Sequence, residues 1–134
     1  GVPAQDFLEL SSLSADLITA WDVIEHVATP RRFAEQAYKF GKAFIVSTPD
    51  AAYVKSFCHS FEHRVLFTHD ALLRLLLTVW PVAAVWRYRW ASPRSYRFGD
   101  AGMLIGIAVC EDWQEGVYNF VPPKQLGNTW RFDM

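Results

Sequence analysis

The sequence is poor in cysteine and has no excess of charge of either sign. Its two cysteines, Cys58 and Cys110, are too few for a disulfide framework, which excludes the small disulfide-stabilised class of secreted domain. Thirteen basic and fourteen acidic residues leave a formal net charge of −1, so no overall field attracts nucleic acid or an anionic membrane. No signal peptide is recognisable, and no apolar run approaches the roughly 20 residues that span a bilayer. These absences predict a cytoplasmic protein with no membrane span and no nucleic-acid partner.

The composition is that of a globular protein with an unusually large aromatic share. The 134 residues are the length of one domain, and 51% of them are hydrophobic. Aromatic residues make up 16% of the chain. Because this is a large amount for a small core, we expect part of it to be exposed and used in contacts.

A strand, a helix and a second strand are predicted in the first part of the chain. Residues 16–21 and 43–47 are short apolar runs rich in β-branched or aromatic side chains, which indicates two buried strands. Between them, Thr29 and Pro30 are suited to the N-cap and the first helical position, and Gly41 is expected to end the helix in a left-handed conformation. A strand–helix–strand unit implies two parallel strands with a right-handed crossover.

A leucine-rich helix and two further strands are predicted next. Thr68 is expected to cap the helix, which carries a leucine stripe expected in the core and ends before Trp80-Pro81. Residues 82–90 and 103–110 then form two strands with no helix between them, which favours an antiparallel hairpin. The predicted fold class is therefore α/β, with a mostly parallel sheet that ends in this hairpin.

Two stretches of the chain show no clean periodicity. Residues 51–65 are interpreted as a mixture of short helix and loop. Residues 111–134 contain turn residues and four spaced aromatic side chains, and they are interpreted as an extended tail packed on a domain formed by residues 1–110.

Polar residues follow both of the predicted parallel strands. Trp21, Asp22, Glu25 and His26 come at the end of the first strand, and Thr48 follows the second. In open α/β sheets, ligands bind outside the carboxyl ends of the strands, and carboxylate and imidazole groups placed there could transfer protons. The alternative is that Asp22 caps a turn and His26 covers the following helix.

The segment DLITAWDVIEHV, residues 16–27, resembles the fourth motif of class I S-adenosylmethionine-dependent methyltransferases, in which a DLI strand leads into an acidic residue and an EHV segment. AFIVSTP at residues 43–49 resembles the fifth strand of that family. EHR at residues 62–64 and FT at residues 67–68 are similar to its H-x-x-x-F-T stretch. The resemblance covers about residues 2–110 and implies a Rossmann-like methyltransferase fold.

This resemblance implies that the chain binds S-adenosylmethionine. Asp6 would accept a hydrogen bond from the adenine amino group, and Phe7 would flank the adenine ring. Trp21 and Asp22 would line the pocket near the methionine end of the cofactor.

The resemblance also implies methyl transfer to a small-molecule or polymer-end acceptor. Glu25 and His26 would face this substrate as catalytic residues, with His26 as the general base, and His63 and Thr48 would contact it. Because the sulfonium is already activated, alignment of the acceptor and the methyl group would supply most of the catalysis.

Two parts of the family pattern have no counterpart in this sequence. These are the Gly-rich first motif and the acidic residue that holds the ribose, and Gly99, Gly102 and Gly106 cannot replace the former because they lie in the predicted hairpin. We therefore expect a fold truncated in its N-terminal half. We also expect the edge of the Leu17–Trp21 strand to be covered by a partner chain, a second copy or the tail from Glu111. A non-catalytic interaction module in a larger assembly is the alternative function.

Two other patterns carry competing interpretations. Cys58, His59, His63 and His69 are metal-ligand types, but no tight Cys-x-x-Cys pair supports them, and no metal site is predicted. Residues 86–90 alternate aromatic and arginine side chains and could stack single-stranded nucleic acid. We favour packing of these aromatic rings beneath a helix, with the arginines in water.

Overall fold

The structure is a computed structural model that describes residues 3–52, 63–90, 101–111, 124–126 and 129–131. Within these residues it contains three helices: α1 (Ala4–Glu9), α2 (Pro30–Phe40) and α3 (His69–Leu77). Its strands are β1 (Ala15–Trp21), β2 (Gly41–Pro49), β3 (Val82–Trp90), β4 (Ala101–Val109), β5 (Lys124–Leu126) and β6 (Thr129–Arg131). None of these helices has the length and apolar character needed to cross a membrane.

Strands β1 to β4 form one sheet in the order β1-β2-β4-β3. The parallel pairing of β1 with β2 confirms the predicted strand–helix–strand unit, and the antiparallel pairing of β3 with β4 confirms the predicted hairpin. However, β4 also pairs antiparallel with β2. The described sheet is therefore mixed rather than mostly parallel, because the hairpin returns β4 to a place between β2 and β3.

Helices α2 and α3 pack on one face of this sheet, and α1 packs against α2. Helix α2 lies against β2, and α3 lies against β3 and β4. The side chains of this face form the main core, whose fully buried members include Phe44, Val46, Leu72, Leu76 and Leu104. The opposite face carries a smaller cluster formed by Ala43, Ile107 and Val109. Residues alternate between the two faces along each strand, so Leu17 and Trp21 of β1 belong to this second face.

Gly41 does not adopt the left-handed conformation that the sequence predicts. Its φ of −120° and ψ of 154° are extended, and β2 begins at this residue directly after α2. A Cβ atom there would lie 2.9 Å from Ile18 Cδ1 and 3.2 Å from the Ala37 carbonyl oxygen. Glycine thus allows a close approach of α2 and β1 to the backbone here, and the extended backbone angles show that the prediction of a left-handed cap is wrong.

Helix α3 begins as predicted. The Thr68 hydroxyl accepts a hydrogen bond of 3.2 Å from a backbone N–H of the first turn, which confirms its role as N-cap. Leu72 and Leu76 are fully buried, but Leu77 is exposed, so the leucine stripe belongs to the core on one side of the helix only. The helix ends at Leu77, before the buried side chain of Trp80.

Several predicted segments lie outside the described residues. Most of residues 51–65 do, together with Cys58, His59 and residues 91–100. In the predicted tail, β5 and β6 form a two-stranded antiparallel sheet. The packing of residues 111–134 on a domain formed by residues 1–110 stays a prediction.

Gly106 of β4 lies beneath α3, where a Cβ atom would be 2.7 Å from Leu76 Cδ1 and 3.1 Å from Val46 Cγ1. We expect Gly106→Ala to lower the free energy of unfolding by about 1–3 kcal/mol, because both neighbours are fully buried and cannot move without disturbing the core. Urea denaturation followed by tryptophan fluorescence measures this loss. The double variant Gly106→Ala/Leu76→Val should lose less stability than the sum of the two single variants. The shorter valine leaves room for the added Cβ atom. An unchanged stability of Gly106→Ala would contradict this packing.

Candidate functional site

The carboxyl ends of β1 and β2 lie side by side at one edge of the sheet, where Trp21 pairs with Ser47. Asp22 then leaves β1 with a φ of 50°, a left-handed conformation that few residues other than glycine adopt. Its backbone N–H donates to the Ser47 hydroxyl oxygen at 3.1 Å, and this hydroxyl donates to Asp22 Oδ1 at 3.3 Å. Asp22 therefore stabilises a turn, as the alternative interpretation of this residue proposed.

Glu25 follows this turn and is buried without a hydrogen-bond partner for its side chain. The side chain is 1% exposed, and its Oε1 lies 3.9 Å from Nε2 of the neighbouring His26. Among the described residues, neither carboxylate oxygen of Glu25 accepts a hydrogen bond. Because burying a carboxylate without a partner is costly, such a group calls for an explanation, and binding of a ligand is one.

Burial raises the pKa of the Glu25 carboxyl above its ordinary value of 4.5, and the nearby Asp22 carboxylate adds to this increase. The backbone N–H of Glu25, the His26 imidazole and the Thr48 hydroxyl act in the opposite direction and do not cancel it. The Thr48 hydroxyl is itself buried and lies near Glu25 without reaching hydrogen-bond geometry. The edge of the sheet thus contains two buried polar side chains, of Glu25 and Thr48, whose oxygens have no hydrogen-bond partner among the described residues.

His63 reaches the same place from a distant part of the sequence. The backbone N–H groups of Arg64 and Val65 both donate to the carbonyl oxygen of Glu25, at 2.7 and 3.1 Å. This arrangement brings the His63 ring edge-on to the His26 ring, with a centroid distance of 4.8 Å. His63 Nδ1 is buried and has no hydrogen-bond partner within the described part of the chain.

Glu25, His26 and His63 each offer a ligand atom, and these atoms lie within 4.8 Å of one another. We refer to them as the Glu25–His26–His63 cluster. Two imidazoles and one carboxylate form a donor set that suits divalent transition metals. The Glu25 oxygens and His63 Nδ1, which are buried and have no hydrogen-bond partner among the residues that the structure describes, fit such an ion.

Sequence reasoning did not identify this donor set. Of the four candidate metal ligands in the sequence, His63 belongs to the cluster, whereas Cys58 and His59 lie outside the described residues. His69 lies on α3, where its Nε2 is 3.0 Å from the Val85 carbonyl oxygen and its Nδ1 is 3.2 Å from Asp70 Oδ1. The adjacent Glu25 and His26 were the available signal, but their pairing with His63 depends on the fold.

The structure separates the other predicted site residues into two groups. Asp22 and Thr48 lie beside Glu25 at the edge of the sheet, whereas Asp6 and Phe7 lie on α1, which packs against α2. Phe7 is only 6% exposed and belongs to the main core, so little of its ring surface remains for an adenine.

Asp6 and Trp21 are both exposed to solvent, with Trp21 55% exposed at the end of β1. Their predicted contacts with a cofactor stay predictions.

No family model and no curated protein matches the chain, but several solved structures do. The crystal structure of the small RNA methyltransferase HEN1 is similar with a TM-score of 0.59 at 20% identity, over 80% of this chain and 16% of that chain. The N-terminal domain of EvdMO1, crystallised in the presence of SAH and D-fucose, is similar with a TM-score of 0.50 at 12% identity, over 82% of this chain and 53% of that chain. The methyltransferase domain of bacterial CtHen1-C gives a TM-score of 0.45 at 20% identity, over 71% of this chain and 52% of that chain.

At sequence identities of 20% and 12%, these similarities show a shared fold and nothing more. The chain has the α/β fold of methyltransferases, as the sequence predicts, over a part of the domain. It spans about half of the EvdMO1 domain, 53%, and 16% of the HEN1 chain.

Because the pKa of Glu25 is raised by folding, the folded chain holds this proton more tightly than the unfolded chain. The protonated Glu25 carboxyl therefore makes its full contribution to the stability of the folded chain below pH 4.5. This contribution is lost as pH rises through the raised pKa. We expect Glu25→Gln to be more stable than the wild type near neutral pH, with a difference that shrinks as pH falls toward 4.5. Urea denaturation across this range, in buffer with a chelator, measures the difference.

The matched control is Glu35→Gln, which removes an exposed carboxylate on α2 that accepts a hydrogen bond from Arg31. This variant should not show the gain in stability near neutral pH. Equal stability of the wild type and Glu25→Gln at neutral pH would contradict the raised pKa.

Proposed function

We propose that this chain is an S-adenosylmethionine-dependent methyltransferase that binds the cofactor and transfers its methyl group to a hydroxyl oxygen of the acceptor. The observation that supports this best is the Glu25–His26–His63 cluster, which lies at the carboxyl edge of the sheet, where α/β folds bind their ligands. The methyltransferase fold of the chain is consistent with this proposal.

Glu25, His26 and His63 would hold a divalent transition-metal cation. Such a cation would polarise the acceptor hydroxyl and lower its pKa. The neighbouring Asp22 carboxylate would add negative charge beside the cation. When no cation is bound, a neutral His26 imidazole could accept the proton of the hydroxyl directly.

Other residues at this edge would orient the two reactants. The buried Thr48 hydroxyl has no partner in the described residues and could bond to the acceptor. The exposed ring of Trp21 offers a flat surface on which a base could stack. Asp6, which lies apart from this edge on α1, would contact the adenine of the cofactor. Alignment of this kind supplies most of the catalysis in methyl transfer.

Among possible acceptors we favour the end of a polynucleotide over a small molecule. HEN1 is named as a small RNA methyltransferase, and the end of an RNA carries free hydroxyls. The near-neutral net charge by itself predicts no such partner, so an RNA acceptor would be bound at the site rather than by a general field.

We expect Mn²⁺ to bind the wild-type chain, and its affinity to fall at least about tenfold in His63→Ala and in Glu25→Gln, because each change removes a ligand of the cation. Titration followed by the electron paramagnetic resonance of free Mn²⁺ measures this affinity. His69→Gln is the control, since His69 bonds to the Val85 carbonyl outside the cluster. An equal loss in His69→Gln, or no binding to the wild type, would exclude a cation site at the cluster.

A second candidate function, a non-catalytic interaction module, is favoured by the outer edge of β1. Among the described residues, β1 pairs only with β2. Three large apolar side chains on or next to this strand are exposed: Leu13 by 43%, Leu17 by 48% and Trp21 by 55%. Unpaired strand edges with apolar side chains bind other chains readily, so the partner here would be a second copy or another polypeptide.

Calorimetric titration with S-adenosylhomocysteine separates these two functions. The methyltransferase predicts saturable binding that weakens in Asp6→Ala, because the adenine loses an acceptor. The interaction module predicts a flat titration, together with association in light scattering that Leu17→Lys abolishes.

Leu77→Lys is the control for the light-scattering arm, since Leu77 is an equally exposed leucine that lies on α3 away from β1. A flat titration with a chain that is monomeric by light scattering would contradict both candidate functions.

A further inference from the structure

Asp50, the residue after β2, is fully buried and connects the end of this strand to the hairpin. Its Oδ2 accepts a hydrogen bond from Arg87 Nε of β3, and its Oδ1 accepts one of 3.0 Å from the backbone N–H of Ala52. Its own backbone N–H donates to the Gly102 carbonyl oxygen of β4 at 3.0 Å. One residue therefore contacts both strands of the hairpin at the edge of the sheet that carries the candidate site.

The chain leaves the sheet at Asp50 and returns beside it at Phe67. These two residues form a parallel β-bridge, and the backbone N–H of Ala51 donates to the Phe67 carbonyl oxygen at 2.9 Å. Phe67 is buried in the main core and is followed by Thr68, the N-cap of α3. The connection between β2 and α3, which contains His63, is thus closed at Asp50.

Two sets of hydrogen bonds fix the part of this connection that follows His63. The first joins the N–H groups of Arg64 and Val65 to the carbonyl oxygen of Glu25, and the second joins Phe67 to Ala51. The position of the His63 ring relative to Glu25 depends on both sets. Asp50 supports the second set, because it forms the bridge with Phe67. Its buried carboxylate is balanced in charge by the partly exposed Arg87.

We propose that the Asp50–Arg87 ion pair positions His63 in the Glu25–His26–His63 cluster, and that it acts through the bridge between Asp50 and Phe67. Neither member of the pair belongs to the cluster, so both are positioning residues. The partly exposed Arg87 adds little to stability compared with apolar packing, but it fixes the geometry of Asp50, because removing it would leave a buried carboxylate without its counter-charge. This proposal rests on the proposed function, because the cluster whose geometry the Asp50–Arg87 pair would fix is the cation site proposed there.

The test compares Asp50→Asn with the wild type by two measurements. We expect Mn²⁺ affinity to fall about tenfold or more, as for other residues that orient metal ligands. We also expect the backbone N–H groups of Arg64 and Val65 to exchange with deuterium faster, because their hydrogen bonds to Glu25 open more often. The exchange measurement is made without metal, so it decides the positioning role even if the wild type binds no Mn²⁺ and the proposed cation site fails.

Two variants control for position and for general loss of stability. Asp16→Asn removes the ion pair of Asp16 with Lys42, 2.7 Å long, at the opposite end of β1 and β2, and it should leave both measurements unchanged. Phe40→Leu weakens the core at the end of α2, also far from the candidate site. It should lower the melting temperature without accelerating exchange selectively at residues 64 and 65.

A purely structural role predicts that Asp50→Asn resembles Phe40→Leu, with a lower melting temperature, unchanged Mn²⁺ affinity and no selective exchange at Arg64 and Val65. That result would overturn the proposal. If Asp50→Asn does not fold, Arg87→Lys takes its place, because lysine keeps the charge and loses the geometry of the guanidinium. Selectively faster exchange at Arg64 and Val65 in Arg87→Lys would support the positioning role, and exchange equal to the wild type would overturn it.

Discussion

The parallel pairing of β1 with β2 is the constraint on which the rest of the structure depends. Parallel strands need a crossover, and α2 supplies it by packing so that a Cβ atom at residue 41 would lie 3.2 Å from the Ala37 carbonyl oxygen. Because both strands then end at the same edge, the turn after β1 lies beside Ser47 and Thr48. The hydrogen bonds between Asp22 and Ser47 turn the chain, and Glu25 becomes buried beside the Thr48 hydroxyl.

The hairpin and the connection between β2 and α3 complete the candidate site around this edge. Strand β4 lies between β2 and β3, so Arg87 of β3 reaches Asp50 at the end of β2. The returning chain then places His63 against the turn that carries Glu25. The site therefore combines two adjacent residues of one turn with a third from another segment, and the sheet order determines which segments can meet.

Local patterns were sufficient to predict most of the fold. Alternation and apolar runs identified the four strands of the main sheet, and Thr68 identified the start of α3, because these signals arise from neighbouring residues. The conformation of Gly41 and the placement of β4 were not predicted, since both depend on contacts between distant segments. The same limit applies to the site: the sequence identified Glu25, His26 and His63 as separate candidates, while their meeting depends on hydrogen bonds between residue 25 and residues 64 and 65.

Glu25 uses its main chain and its side chain for different purposes. Its carbonyl oxygen accepts the hydrogen bonds that hold the segment after His63, while its buried carboxylate has no hydrogen-bond partner within the described part of the chain. Any ligand that neutralises this carboxylate removes an energetic penalty that only the folded chain carries. By mass action, the folded population then depends on the concentration of that ligand. Folding of the chain and occupancy of the site are therefore linked equilibria.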